Sequence, residues 1–426
     1  MKIETLHQHF LKSTGICTDT RTITKGCLFF ALKGDNFNGN QFTQEALDNG
    51  AYKIIIDEIE YHKKSGETLL FSNTLIALQN LASFHRDYLN LPIIALTGSN
   101  GKTTTKELLN VVLSQKYNTV ATKGNLNNHI GVPLTLLSMN SETEIGIVEM
   151  GANHLKEIEL LCDIAKPDFG YITNFGKAHL EGFESIEGVI KGKTELYNRL
   201  KNYDKLAFVN AEDPKQIELS KKINRITFGN KQQDCFIQLK DASQQLIVEY
   251  KGLDIQSKLI GLYNFQNIAA AICIGDYLKV SKEDIKKAIE SYIPTNNRSQ
   301  LLEKGSNKII LDAYNANPCS MMSALENFKQ TKGESKIVFL GDMFELGTEA
   351  EKEHQNIVTF LEENTFEKAY LIGENFFKTN TSSPHINKFK TFEELQKELE
   401  DNTPKNSYLL IKASRGMALE RILDLL

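Results

Sequence analysis

A continuous apolar run, Ile93-Ile94-Ala95-Leu96-Thr97, passes without a break into Gly98-Ser99-Asn100-Gly101-Lys102-Thr103-Thr104-Thr105. An uninterrupted apolar strand of this length has both faces buried, which is the habit of a parallel sheet covered by crossover helices. The residues that follow predict a glycine turn and then a helix over Lys106 to Ser114. Strand, glycine loop and helix in that order form an anion site. The glycines let consecutive N–H groups face a phosphate at the helix N-terminus, Lys102 can reach β- and γ-phosphates, and Thr103 can ligand Mg²⁺. The loop departs from the general GxxxxGK[ST] form, because Leu96 stands where the first glycine is expected.

The chain around this loop reads as α/β throughout. Upstream, Cys27 to Leu32 and Tyr52 to Ile56 are β-type runs, separated by a turn at Gly34 to Asn40 and a helical stretch near Phe42 to Asn49. A helix over Thr74 to Leu89 then leads to the loop-bearing strand. Downstream, Ile145 to Met150, Phe169 to Thr173 and Lys205 to Val209 are further buried-type strands. Thr97, Glu149, Asn174 and Asn210 fall at strand ends, where ligands bind in open sheets of this kind. Helices over Asn264 to Leu278 and Lys282 to Ser291 precede a linker at Thr295 to Arg298, and strand–helix alternation restarts at Ile309. The expected division is therefore residues 1–91, 92–296 and 297–426, which agrees with the roughly three domains that a chain of 426 residues suggests.

Composition removes whole classes of function. A net charge of -5 gives no basic field for nucleic acid. No apolar run reaches the roughly eighteen residues of a spanning helix, and the start of the chain has no signal-peptide pattern, so a cytoplasmic protein is expected. Six scattered cysteines without CxxC spacing read as reduced core thiols.

Several groups beyond the loop carry chemical potential. Glu149 ends an apolar strand, where a buried carboxylate is costly unless it meets a cation, and Mg²⁺ at Thr103 would be that cation. His179 and the helical pair Lys191 and Lys193 follow, although a lone histidine is usually structural. Asn264-Phe265-Gln266-Asn267 opens an Ala-rich helix. Polar clusters follow three strands of the last domain, at Asp312 to Pro318, Gly341 to Gly347 and Lys412 to Gly416, and three such ends suggest one shared cleft.

With TGSNGKTTT, VEMGA, HLEGF, NAEDP, the Asn264 to Asn267 turn and DAYNANP in this order, the chain resembles the Mur ligases of bacterial cell-wall synthesis. Asn125-Leu126-Asn127-Asn128, YNANP and GDMxELG point to the branch that adds D-alanyl-D-alanine. The resemblance implies three α/β domains: an N-terminal UDP-binding domain, a central P-loop ATPase-type parallel sheet and a Rossmann-like C-terminal domain for the amine. It implies ATP-dependent ligation of D-alanyl-D-alanine to UDP-N-acetylmuramoyl-tripeptide through an acyl phosphate, ADP-forming, with the chain acting as a monomer. By the same resemblance, Gly98, Ser99, Asn100, Gly101, Lys102, Thr103 and Thr104 hold ATP together with Asn267, Arg298 and Asp312. Thr103 and Glu149 hold one Mg²⁺; His179 and Lys193, the latter as a carbamate, serve a second, and Lys102, Lys193 and His179 are the implied catalytic groups. Asp19, Thr20, Arg21, Lys33 and Gly34 take the UDP-sugar. Tyr314, Asn315, Asn317, Asp342, Glu345, Ser414 and Arg415 line the amine cleft.

Two departures stand out. Leu311-Asp312-Ala313-Tyr314 replaces the two acids and serine that the family often has, and His129 stands where aspartate is common. Neither touches the loop or the implied metal ligands. Another amino-acid-adding Mur-type ligase or a folylpolyglutamate-synthetase-like enzyme would share the central domain and differ in the last one. A P-loop binding or switch protein would use ATP without needing an amine.

Overall fold

The computed structural model describes residues 2–231, 233–331 and 335–426; Met1, the first residue of the expected first domain, lies outside them. Three α/β domains follow one another along the chain. The first is built on a four-stranded parallel sheet in the order Ile16–Cys17, Leu28–Phe30, Lys53–Ile56, Thr68–Leu70, with a small hairpin of Lys33–Gly34 and Phe37–Asn38 beside it.

The helix Thr74–Leu89 closes this domain and packs it onto the next. Asn73 caps its start by accepting the Ile76 N–H at 2.8 Å, and Asn90 ends it in a left-handed conformation. Its buried face, Leu78, Leu81 and Ala82, belongs to one apolar cluster that also takes in Ile93 and Val148 of the central sheet and Ile310 and Val338 of the last.

The central sheet has seven parallel strands in the order Cys235–Phe236, Asn224–Gly229, Leu206–Asn210, Phe169–Ile172, Ile93–Thr97, Ile145–Glu149, Thr119–Ala121. All five residues of Ile93–Thr97 are buried, as its unbroken apolar sequence requires. Successive strands are added on one side of Ile93–Thr97 and then on the other, so the crevice beyond its carboxyl end is the switch point where ligands bind in such sheets. A three-stranded antiparallel sheet, Gln238–Asp241, Gln245–Tyr250 and Leu253–Ile260, is appended without having been expected. Its signal is the alternation of Leu246, Val248 and Tyr250, buried every second residue.

The C-terminal sheet runs Gln300–Lys304, Asn307–Asp312, Tyr408–Lys412, Lys336–Gly341, Lys368–Ile372, Ile386–Phe389 and is parallel except for its first strand. Between it and the central sheet lies the stretch from Tyr292 to Ser299. Glu107 accepts hydrogen bonds from Tyr292 Oη at 2.5 Å and Asn296 Nδ2 at 2.6 Å. Asn297 and Ser299 both have positive φ. No helix of the described residues is long and apolar enough to cross a membrane.

Candidate functional site

The helix after the glycine loop begins at Lys102 and runs to Leu113, four residues earlier than the sequence suggested. The correction has a simple cause: the Thr105 N–H already bonds to the Gly101 carbonyl at 2.9 Å, so the threonine triplet is the first turn. That brings the free N–H groups of the helix start, and its positive end, onto the loop itself.

Both loop glycines are required. Gly98 and Gly101 have φ of +140° and +81°; a Cβ would lie 2.0 Å from Thr173 Oγ1 at the first and 2.5 Å from Asn267 Oδ1 at the second. The loop is held to the end of the neighbouring strand. Asn100 N donates to Asn174 Oδ1 at 3.1 Å, Thr173 Oγ1 donates to the Asn100 carbonyl at 2.5 Å, and Ser99 Oγ donates to the Gly176 carbonyl at 2.7 Å. Lys102 Nζ curls over the loop onto the Gly98 and Ser99 carbonyls at 2.6 and 3.3 Å. Burial lowers the Lys102 pKa, with the Glu149 carboxylate opposing and the Arg298 charge adding to the shift.

Glu149 is buried beside this loop. Its Oε1 accepts from Thr103 Oγ1 at 3.3 Å and Asn127 Nδ2 at 2.9 Å, while its Oε2 has no hydrogen-bond partner. A buried carboxylate oxygen with an unmet charge, next to a hydroxyl, fits a hard divalent cation such as Mg²⁺.

A cavity of about 1170 Å³ opens from the loop toward the C-terminal domain. Of the expected residues, Ser99 to Thr104, Glu149, His179, Asn267, Arg298, Asp312, Tyr314, Asn315, Asn317, Glu345, Ser414 and Arg415 line it. The Arg298 guanidinium lies 3.8 Å from the Tyr314 ring centre, with Arg415 5.8 Å from the same centre, and Arg298 Nε is buried without a partner. Asp312 pairs with Lys412 at 2.5 Å. Asn267 accepts from Thr105 Oγ1 at 3.0 Å and donates to Asn264 Oδ1 at 2.8 Å, which holds its amide beside Gly101.

Asp342 departs from its expected place. Its carboxylate accepts the Asn375 and Phe376 N–H groups at 2.9 Å each, at the start of the helix Glu374–Lys378, and it does not line the cavity. The loop that follows it does reach the cleft. Glu345 there hydrogen-bonds His179 Nδ1, which holds the Glu345 carboxyl below its ordinary pKa, and its carbonyl accepts the Glu181 N–H at 3.2 Å.

Lys193 is fully buried and donates to the Ala152 carbonyl at 3.0 Å, one layer behind the cavity wall. Burial pushes its pKa well down, and the nearby Lys102 charge lowers it further. His179 and Lys193 thus have partners other than each other. Among the described residues no group of three or more His, Cys, Asp or Glu is poised for a metal.

The five residues expected at the UDP-sugar stand on the first domain, away from this cavity. Asp19 pairs with Arg21 at 2.6 Å, and that guanidinium brings the Asp19 carboxyl down to about 2. Thr20 shares their short helical turn. Lys33 bridges Asp57 and Glu58 at 2.9 and 2.8 Å, with Gly34 next to it in the hairpin.

Asn127, Asp213, Tyr263, Lys412 and Cys319 also line the cavity and were not singled out. Asn127, Lys412 and Asp213, the last in NAEDP, sat in runs the sequence already marked; Tyr263 gave no signal beyond ordinary helix-start chemistry. Five cysteines are buried as expected, but Cys319 is half-buried on the cleft.

Comparison with known proteins finds a family match in each of the three α/β domains. Family profiles described as "Mur ligase family, catalytic domain", "Mur ligase middle domain" and "Mur ligase, glutamate ligase domain" match residues 12–86, 96–275 and 297–415. A Bacillus subtilis protein named UDP-N-acetylmuramoyl-tripeptide–D-alanyl-D-alanine ligase is 34% identical over 422 residues, covering 96% of this chain and 92% of its own. A crystal structure of MurF from Acinetobacter baumannii superposes with a TM-score of 0.89 at 30% identity, covering 100% of this chain and 98% of that one. The MurF ligase of Thermotoga maritima, solved in complex with ADP, gives 0.85 at 29% identity over 98% and 97% of the two chains. With the loop, the strand-end clusters and end-to-end similarity in agreement, the chain belongs to the Mur ligase family.

Proposed function

We propose that this protein ligates D-alanyl-D-alanine to UDP-N-acetylmuramoyl-tripeptide with conversion of ATP to ADP and phosphate, giving the UDP-muramoyl-pentapeptide used for peptidoglycan. The observation that carries the reading is one cavity walled by the phosphate loop on one side and by C-terminal strand ends on the other, in a chain similar throughout to ligases of that name.

An oxygen of the tripeptide carboxylate attacks the γ-phosphorus of ATP, the bond to the β-phosphate oxygen breaks, and ADP leaves. The dipeptide's neutral amine then attacks the acyl carbon, its proton passes to solvent or phosphate, and the carbon–oxygen bond to phosphate breaks. Lys102 turns from its own loop carbonyls to the transferring phosphoryl group, and the N–H groups of the helix start hold the phosphates. Mg²⁺ held by Thr103 and Glu149 would supply further charge neutralisation there. Asn267 would lie at the adenine, with Arg298 and Asp312 near the nucleotide. Tyr314, Asn315, Asn317, Glu345, Ser414 and Arg415 would face the amine and peptide ends.

Lys193 is suited to carbamylation: its depressed pKa leaves more neutral amine to add to CO₂, losing one proton to solvent. The carbamate would serve a second Mg²⁺ near His179. The first domain would hold the UDP-sugar through Asp19, Thr20, Arg21, Lys33 and Gly34, with divisions near Leu91 and Asn296 and the enzyme a cytoplasmic monomer.

An amine panel tests the reading. With ATP, Mg²⁺ and UDP-muramoyl-tripeptide, product mass should require D-alanyl-D-alanine and should not form with lysine, diaminopimelate or glutamate. Product with one of those and not with the dipeptide would assign the chain to another adding activity, and ATP turnover without any amine would point to a switch protein.

A further inference from the structure

From the contact between Asn317 and Asn100 we infer that Asn317 is a positioning residue that carries the docking of the C-terminal domain into the phosphate loop. The inference rests on the reading of that loop as the ATP site.

Asn317 is the N-cap of the helix Pro318–Gln330. Its Oδ1 accepts the Ser320 N–H at 2.9 Å, and Ser320 Oγ accepts the Asn317 N–H at 3.0 Å in return. That use occupies only the oxygen of the amide. The Nδ2 donates across the cleft to Asn100 Oδ1 at 2.7 Å, over a sequence separation of 217 residues, and Asn317 is buried. Asn100 is the residue between Ser99 and Gly101 at the turn of the loop, and its backbone is already pinned to Thr173 and Asn174. The loop is thus fixed from below by its own sheet and from above by the amine-binding domain.

The residue type is specific to this double task. Aspartate caps a helix as well as asparagine but has no donor left; serine and threonine cap but are too short to span the gap. Asparagine alone among good caps accepts from the helix and donates outward.

Among the described residues the other hydrogen bonds and ion pairs between these domains fall outside the loop, although the Arg298 charge acts on Lys102. Lys177 pairs with Glu353 at 2.7 Å, and His179 meets Glu345. Asn317 is therefore the hydrogen-bonded route by which domain docking bears on the loop itself. Coupling is reciprocal, so ATP bound to the loop favours the docked domain by the same factor by which docking favours ATP.

The test is a double-mutant cycle on full-length enzyme with Asn317→Ser, which keeps the cap, and Asn100→Ala, which keeps the loop's backbone bonds. Nucleotide dissociation constants, KM for ATP and kcat are measured with melting temperature as the folding control. Each single variant should weaken ATP about three- to tenfold, the range of one buried hydrogen bond, with melting nearly unchanged. The double variant should be no weaker than the worse single one. Additive losses, or an unchanged ATP affinity in Asn317→Ser, would overturn the inference. Failure of the wild-type protein to bind ATP at all would instead sink the reading of the loop, which keeps the two outcomes apart. If Asn317→Ser unfolds, Asn317→Thr repeats the same comparison.

Discussion

Lys102 illustrates how far one residue can be read before any fold is known. Its place after two glycines and before three threonines points to a phosphate contact, and its ammonium rests on the Gly98 and Ser99 carbonyls in the wall of the cavity. Lys102→Ala should lower ligation on the order of a thousandfold or more, because a cation in a water-excluded phosphate site contributes several kcal/mol to the transition state. Melting should change little, and near-normal turnover would contradict the assignment. Lys193 was located by resemblance alone, because nothing in its helical spacing separates it from Lys191. Its burial adds the physical reason, since an amine kept from its charge is a nucleophile for CO₂. Intact mass of bicarbonate-supplied, active enzyme should show one added CO₂ at Lys193, and Lys193→Ala should be partly restored by short carboxylic acids. An unmodified Lys193 in active enzyme would refute the carbamate. Asp342 was illegible in the opposite direction. A polar residue after a strand can face a cleft or cap a neighbouring helix, and only the position of Glu374–Lys378 shows that Asp342 does the second.

At the scale of elements, long apolar strands and capped helices were read to within a residue or two. Thr74–Leu89 and Ile93–Thr97 carry their own start and stop signals. Short edge strands such as Thr119–Ala121 do not, because three residues hold too little pattern and their pairing is decided by a partner distant in sequence. The helix Ile3–Leu11 shows the same limit. Its polar composition gave no hint that His7 would be buried, yet His7 Nε2 lies 3.0 Å from His85 Nδ1, and His85 Nε2 lies 3.0 Å from the Met139 carbonyl of the central domain. Burial, and then the His85 charge, pushes His7 from 6.5 down to about 4. The unfolded chain takes up that proton near 6.5 and the folded chain resists until about 4, so unfolding binds protons and stability is lost as pH falls through this window. His7→Leu should flatten the dependence of melting temperature on pH between about 4 and 6.5. An unchanged slope would show that His7 titrates normally.

On the scale of the whole molecule, the proposed placement of UDP-sugar, ATP and amine on three domains calls for closure as the route to catalysis, and the structure distinguishes the two joints. The first and central domains share a buried seam, with Arg86 and Asp168 paired at 2.7 Å beside Leu78 and Leu81. The central and C-terminal domains also share that apolar cluster, but across the cleft they are held by polar pairs and are joined by a stretch with left-handed Asn297 and Ser299. Polar contacts of this kind release easily, so motion belongs at the second joint. X-ray scattering should show a smaller radius of gyration with a nonhydrolysable ATP analogue plus UDP-muramoyl-tripeptide than in free enzyme. Equal radii would count against closure. Composition and motifs could not reveal this difference between joints, because it lies in which side chains are buried between domains rather than in any local pattern. The most direct test of the chemistry labels both oxygens of the tripeptide's terminal carboxylate with heavy oxygen, adds ATP, Mg²⁺ and D-alanyl-D-alanine, and weighs the pentapeptide and the released phosphate. Ligation through an acyl phosphate places one heavy oxygen in each phosphate and leaves one in the new amide; pentapeptide formed with unlabelled phosphate would contradict it.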